Sequence, residues 1–150
     1  MLSNPVARES RKLLSYDMQV QILPSALAFY ISRILLLLMY SYLEKIQDKP
    51  IIVEGKKDKI ALENLGCSNV IMLNGNRAGL FRIAEKLPEN CKEAVILTDL
   101  DKKGKQLYHR IKKILTRNKI KVDDRFRIYL FKETKIRQIE GLKIYMKEII

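Results

Sequence analysis

Histidine and cysteine are nearly missing from this sequence. His109 is the single histidine, and Cys67 and Cys91 are the only cysteines, in unrelated surroundings. That scarcity excludes a disulfide scaffold, a Cys-rich zinc site and a multi-histidine metal site. It also argues against a Ser-His or Cys-His triad, and two lone cysteines fit a reducing compartment. No P-loop is present, so ATP hydrolysis of that kind is not expected. Neither an internal repeat nor a low-complexity tract interrupts the chain. Acid is also short: 17 Asp and Glu stand against 29 Lys and Arg, a formal charge of +12. Such a surplus suits a polyanionic partner, either nucleic acid or an acidic membrane surface. Apolar residues at 47% and charged residues at 31% describe a globular chain. Its 150 residues are one domain's worth and can bury a core without disulfides or metal.

Composition divides the chain near Pro50. Residues 1–50 carry six basic and four acidic side chains, a net of +2, whereas residues 51–150 carry 23 and 13, a net of +10. The first part contains Ile22 to Leu43, 22 residues whose only charge is Arg33. As a helix rising about 1.5 Å per residue, it is long enough to cross a bilayer. Arg33, near its middle, would cost about 2.5–3.5 kcal/mol on insertion. Arg8, Arg11 and Lys12 precede it like a positive n-region, but no small-residue cleavage site follows. Three readings stay open: a membrane anchor, a helix packed on the following domain, or a segment outside the true fold. Met39 motivates the third, because a chain starting there would have 112 residues and keep every motif below.

The second part alternates strand and helix signals. Pro50-Ile51-Ile52-Val53 is a short β-branched run that reads as a buried strand. Asp58 to Leu65 reads as a helix, capped by Asp58 and stopped by Gly66. Asn69 to Leu73 is the second expected strand, and Leu80 to Leu87 the second helix, ended by Pro88. Ala94 to Leu97 is the third strand. Lys105 to Thr116 is the third helix, with Leu107, Tyr108, Ile111, Ile114 and Leu115 on one face. Arg127 to Phe131 is read as a fourth strand, and the tail to Ile150 as helical. Strict alternation of this kind implies parallel pairing through right-handed crossovers.

In open α/β sheets, ligands bind beyond the carboxyl ends of the strands. Two of the apolar strands end directly in acid. Ile51-Ile52-Val53 runs into Glu54-Gly55, and Val95-Ile96-Leu97-Thr98 runs into Asp99-Leu100-Asp101 and then Gly104. If those strands are parallel neighbours, Glu54, Asp99 and Asp101 converge at one rim, where three anions repel unless a cation lies between them. Carboxylate oxygens without His or Cys are the ligands of Mg²⁺ or Mn²⁺. Asp58 stands where it could join from the first turn of the following helix. Gly55 and Gly104 would let the backbone turn sharply and approach a phosphate. Each piece has a plainer reading: a surface turn for Asp-x-Asp, a solvated strand end for Glu54, a helix cap for Asp58. The combination is much less common.

That combination resembles the Toprim domain. Bacterial-type primases, type IA and II topoisomerases, overcoming-lysogenization-defect nucleases, a recombination mediator and the small ribonuclease that matures 5S ribosomal RNA share it. Residues 51–58, Ile-Ile-Val-Glu-Gly-Lys-Lys-Asp, and 96–105, Ile-Leu-Thr-Asp-Leu-Asp-Lys-Lys-Gly-Lys, carry the likeness, which covers about residues 50–131. The chain looks most like the small standalone Toprim proteins of prokaryotes and the ribonuclease that matures 5S ribosomal RNA. The resemblance implies an α/β fold, a Rossmann-like open sheet of about four parallel strands flanked by helices. Residues 1–48 would form an N-terminal extension and residues 49–150 the domain with a C-terminal helical tail. It further implies that Glu54 is a general acid or base, that Asp58 is an auxiliary acid, and that Glu54, Asp99 and Asp101 hold Mg²⁺ or Mn²⁺. Topoisomerases carry a third acid after the Asp-x-Asp pair; here that region reads Lys102-Lys103-Gly104-Lys105. Asn74 and Gly75 fall where these proteins have a substrate-facing loop, which here includes Arg77.

From Lys102 to Lys121 there are nine basic residues and no acid. A basic track leading to a carboxylate cluster suits phosphodiester chemistry, in which bases position the backbone and a divalent ion neutralises developing charge. The expected nucleic-acid contacts are Lys56, Lys57, Arg77, Lys102, Lys103, Lys105, Lys112 and Lys113; a solvated helix face in a Lys-rich proteome is the plainer reading. His109 reads as a surface residue. Tyr108, Tyr129 and Tyr145 are candidates to stack bases, though tyrosines at such positions usually belong to core or rim. Cys67 and Cys91 read as small apolar residues. Topoisomerase action is not expected, because these residues include no large domain with a nucleophilic tyrosine, nor primase action, with no zinc-binding or helicase-binding segment. The expected function is a Mg²⁺-dependent nuclease-like action on RNA or DNA, with a non-catalytic binding or partner-recruiting module as the alternative. No small-molecule cofactor is expected. A membrane enters only if residues 22–43 span, the location expected is cytoplasmic, and the oligomeric state is open.

Overall fold

The computed structural model describes residues 24–74 and 77–149. It opens with a long helix, α1 (Ser25–Ile46), followed by β1 (Ile51–Val53), α2 (Lys56–Glu63) and β2 (Val70–Met72). Two short helices, α3 (Arg77–Phe81) and α4 (Ile83–Lys86), lead to β3 (Glu93–Ile96) and then to α5 (Lys102–Arg117). A two-residue β4 (Lys121–Val122), α6 (Arg125–Glu133), a 3₁₀ turn (Ile139–Gly141) and α7 (Leu142–Ile149) complete it.

The strands form one sheet in the order β2-β1-β3-β4, every pair parallel. Ile51 and Ile52 pair with Val70 and Ile71 on one side and with Val95 and Ile96 on the other. Strand alternation then sorts the core into two layers. Ile51, Val53, Val95 and Leu97 face one layer with α1, α2, α6 and α7; Ile52, Ala94 and Ile96 face the other with Ile83 of α4 and Ile111 and Leu115 of α5. Central strands covered on both faces explain why β1 and β3 read as unbroken apolar runs. From β1 the chain moves outward to β2, and from β3 it moves outward to β4. The order reverses between β1 and β3, and a crevice opens at their carboxyl ends.

Two expectations change at the level of elements. The fourth strand is not Arg127–Phe131, which lies in α6, but Lys121–Val122, pairing with Glu93 and Ala94. Phe126, Tyr129 and Leu130 are buried while Ile128 and Phe131 are exposed, a helical spacing rather than alternation. The second expected helix is broken at Arg82 into α3 and α4, and Leu87 is extended before Pro88, as a residue preceding proline prefers. Gly66 ends the turn after α2 in the left-handed region at φ 95°.

The apolar N-terminal stretch is one helix with two characters. Its C-terminal half is core: Leu35, Met39, Leu43 and Ile46 are buried, and Tyr42 stacks on Tyr129 with ring centroids 4.7 Å apart. Burying each such aliphatic side chain is worth about 1.5–3 kcal/mol, so this half is integral to the folded unit. Its N-terminal half carries exposed Leu27, Phe29, Tyr30 and Ile34, and on the outer face of the packed half Leu37, Leu38 and Tyr40 are exposed as well. By length and composition the helix could cross a membrane, but a core helix passes the same test. Residues 22 and 23 lie outside the described residues.

Candidate metal and nucleic-acid site

The crevice between β1 and β3 collects acid. Glu54 follows β1, and its Oε1 accepts the backbone N–H of Asp99 at 3.2 Å, bridging the two strand ends. Asp99 Oδ1 accepts the N–H of Ile139 at 3.0 Å, which brings the 3₁₀ turn over the rim. Asp101 caps α5, its Oδ1 accepting from Gly104 N at 2.7 Å. Asp58 does not open α2, whose first cap residue is Gly55, but lies in its first turn and closes the cap from there, its Oδ2 accepting the Gly55 N–H at 3.2 Å. Each carboxylate is thus aimed by a backbone amide, and among the described residues no Lys or Arg forms an ion pair with any of the four.

The electrostatic consequence is uniform for the three inner acids. Burial holds the Glu54 carboxyl above its usual range, and Asp99, Asp58 and Asp101 push it further. Burial followed by the charge of Asp99 raises Asp58. Burial, with Asp101 and Glu140 adding repulsion, raises Asp99. Oxygen-only donors that repel one another fit a hard divalent cation by chemistry. By position they stand slightly apart: among the described residues no three Asp, Glu, His or Cys side chains are spaced to hold one ion. Closing on an ion therefore requires side-chain rotation, for which exposed Asp101 has room.

Gly104 is required, but by packing rather than by a phosphate. A Cβ there would stand 1.9 Å from the carbonyl oxygen of Asp99, so only glycine lets α5 start against the acid loop. Gly55 is in ordinary extended backbone, and a Cβ there would meet nothing closer than 3.8 Å.

Of the expected nucleic-acid contacts, Lys56, Lys57, Lys102, Lys103 and Lys105 are exposed at the first turns of α2 and α5, beside the rim, and Lys113 is exposed further along α5. Lys57 lies 3.8 Å from Glu140, and Lys105 Nζ stands 4.3 Å from the Phe131 ring centroid. Lys112 is different: its Nζ bonds Asp124 Oδ2 at 2.7 Å and donates to the Tyr108 hydroxyl at 3.0 Å, so its charge is paired although the side chain stays partly exposed. Gly75 and the Arg77 side chain lie outside the described residues. Tyr129 is buried core, Tyr145 is half-buried against it, and Tyr108 lines a cavity described below. His109 is exposed on α5. Cys67 is buried, which pushes its thiol up to about 11.

Two rim residues escaped the reading of the sequence. Arg127 is buried and donates to the carbonyls of Thr98 and Asp99, clamping the end of β3. Glu140 adds its charge against Asp58 and Asp99 from the 3₁₀ turn. The i, i+3, i+4 spacing of Phe126, Tyr129 and Leu130 could have placed Arg127 on a helix; nothing local marks Glu140.

Together these features define a class: a doubly wound parallel sheet with a glutamate after its first strand and an Asp-x-Asp after its third, facing each other at the switch point. The Toprim domain matches residues 49–132, and the chain belongs to the Toprim family. Its relatives are small proteins of the same kind. It is 34% identical over 105 residues to a UPF0292 protein of Methanocaldococcus jannaschii, covering 68% of this chain and 81% of that one. A UPF0292 protein of Thermococcus onnurineus is 36% identical over 120 residues, 73% of this chain and 88% of that one. A solved structure of a protein from Aquifex aeolicus superposes with a TM-score of 0.62 at 32% identity, covering 69% of this chain and 94% of that one. Toprim domains generally bind divalent metal ions, and the family places this chain among metal-binding, nucleic-acid-related proteins.

Proposed function

We propose that this protein is a Mg²⁺-dependent enzyme acting on nucleic-acid phosphodiesters, a nuclease of RNA processing or DNA repair, working in the cytoplasm. One observation carries the proposal: Glu54, Asp58, Asp99 and Asp101 share the switch-point rim with no ion-pair partner among the described residues, the nearest cation, Arg127, being held by the Thr98 and Asp99 carbonyls, while exposed lysines of α2 and α5 flank it. Asp99 and Asp101, with Glu54, would hold Mg²⁺ or Mn²⁺, and the bound ion would neutralise charge developing on the phosphate. Glu54, whose carboxyl burial holds above its usual range with Asp99 and Asp58 adding repulsion, is suited to take and return a proton. Lys56, Lys57, Lys102, Lys103, Lys105 and Lys113 would fix the backbone near the rim. The spread of the carboxylates favours a second reading, a module that binds nucleic acid without cutting it.

Incubating end-labelled structured RNA and single-stranded DNA with the protein and Mg²⁺ or Mn²⁺ tests both. Cleavage by the wild type, reduced about a hundredfold or more in Glu54→Gln and lost in Asp99→Asn/Asp101→Asn, is expected. Full activity in Glu54→Gln would overturn the role of Glu54. Tight binding without cleavage in any metal would leave the module reading.

A further inference from the structure

A cavity of about 240 Å³ lies between α5 and α6, against the acid loop. Leu100, the residue between the two rim aspartates, lines it, as do Lys105, Tyr108, Arg127, Ile128 and Phe131. Its walls are therefore aromatic and aliphatic, and its edges are cationic. The one acid in the lining, Asp124, is already engaged, by the Tyr108 hydroxyl at 2.6 Å and by Lys112 at 2.7 Å. Arg127 ties this cavity to the rim: its guanidinium stands 4.6 Å from the centroid of the Tyr108 ring while donating to the Asp99 carbonyl at 3.1 Å. The cavity is smaller than the roughly 300–1,000 Å³ of a drug-sized ligand site, so it admits one ring system. A planar, polarisable ring carrying an anion is the occupant that such walls and edges match.

We propose that this cavity receives a single unstacked nucleobase of the nucleic-acid strand whose phosphate lies at the rim. The proposal rests on the nucleic-acid reading of that rim and deepens it. A base inside a duplex cannot enter a pocket of this size, so the substrate presented here is single-stranded or splayed open. Lys105, at the mouth and over the Phe131 ring, would meet the phosphate of the inserted nucleotide, which couples base capture to the position of the backbone beside Asp99 and Asp101.

The test measures binding of short single-stranded oligonucleotides against versions with the same phosphates but abasic sugars, in ribose and deoxyribose series. The intact strand is expected to bind about tenfold or more tightly than the abasic one, in either series. Phe131→Ala and Ile128→Ala, both at exposed positions, should each remove that preference, read as the ratio of intact to abasic affinity, with abasic binding staying within about twofold for Ile128→Ala. A thermal melt confirms that each variant folds. Equal binding of intact and abasic strands by the wild type, or an unchanged preference for the intact strand in Ile128→Ala, would overturn the pocket while leaving the rim reading standing. A base preference without cleavage would instead defeat the nuclease reading and leave the pocket. A wild type that binds no strand in either series would overturn both.

Discussion

Two acid clusters in this molecule are built in opposite ways. At the β3–β4 edge, Asp123 is buried and ringed by cations. Its Oδ2 lies 2.9 Å from Lys49 Nζ and 2.8 Å from Arg125 Nη2, and Lys49 also reaches Glu93 at 2.9 Å. The hydrogen bonds from Arg125, then those from Lys49, hold the Asp123 carboxyl well below the usual range despite its burial. At the β1–β3 rim, Glu54, Asp58 and Asp99 receive only backbone amides, and each carboxyl is raised. A chain with 29 Lys and Arg has no shortage of cations to place there. The edge cluster fastens the end of α1 to the sheet. The rim stores repulsion that a cation or proton would relieve, as the proposed metal site requires.

Breaking the paired cluster is expected to have the largest effect. Asp123→Ala leaves Lys49 half-buried without its inner partner and removes the tether between the residues following α1 and β4. Lys49 keeps Glu93 at 2.9 Å, so a loss of about 2 kcal/mol is expected, read as a fall in the denaturant midpoint at unchanged slope. A variant as stable as the wild type would show that the edge cluster is ornament and remove one side of the contrast.

The two clusters were unequally legible in the sequence. Glu54, Asp99 and Asp101 could be read because each directly follows an apolar strand, and a doubly wound sheet puts its chemistry at strand ends. Asp123 offered no such mark: Arg125 stands two residues on, but Lys49 lies 74 residues away, and only the sheet, with β1, β3 and β4 side by side, brings it to Asp123 and Glu93. Lys112 looks like its neighbours Arg110 and Lys113 in sequence, yet Asp124 and Tyr108 claim it. Arg127–Phe131 was too short a window to separate a period of two from one of 3.6. The buried fate of Met39, Leu43 and Ile46 was likewise set by the partners α6 and α7 supply, since an apolar helix looks alike in a core and in a bilayer.

Neutralising a rim acid should have the opposite sign and a smaller size. Asn in place of Asp99 keeps an oxygen for the Ile139 amide and removes a half-buried charge that Asp58, Asp101 and Glu140 oppose and Arg127 only partly offsets. Asp99→Asn is expected to gain about 1 kcal/mol at pH 7, a rise of about 2–4 °C in Tm. The pH dependence follows from linkage. Because the folded-state carboxyl is raised, the native state binds more protons than the unfolded state, and the rim's cost grows as pH rises through the unfolded value, near 4, to the folded one. The gain from Asp99→Asn should therefore fade below about pH 4. Asp123, whose carboxyl is lowered in the fold, behaves conversely: its contribution is full above about pH 4 and is lost only as pH falls further. Thermal melts across pH for the wild type, Asp99→Asn and Asp123→Ala would show two profiles of opposite slope; parallel profiles would erase the distinction.

The smallest effect sharpens the contrast most. If the rim lacks only a cation, Mg²⁺ or Mn²⁺ should make it resemble the edge cluster, and stability should follow the ion. At about three times its dissociation constant, an ion binding only the folded chain stabilises it by about 0.8 kcal/mol, or about 2–3 °C in Tm. Asp123→Ala should show the same shift as the wild type from its lower baseline, because its change lies at the other edge of the sheet. Asp99→Asn/Asp101→Asn should show none, because it lacks both the oxygens that grip the ion and the repulsion that the ion relieves. An equal shift in the double variant would place the ion elsewhere on the protein, and the raised carboxyls of the rim would then answer to protons alone.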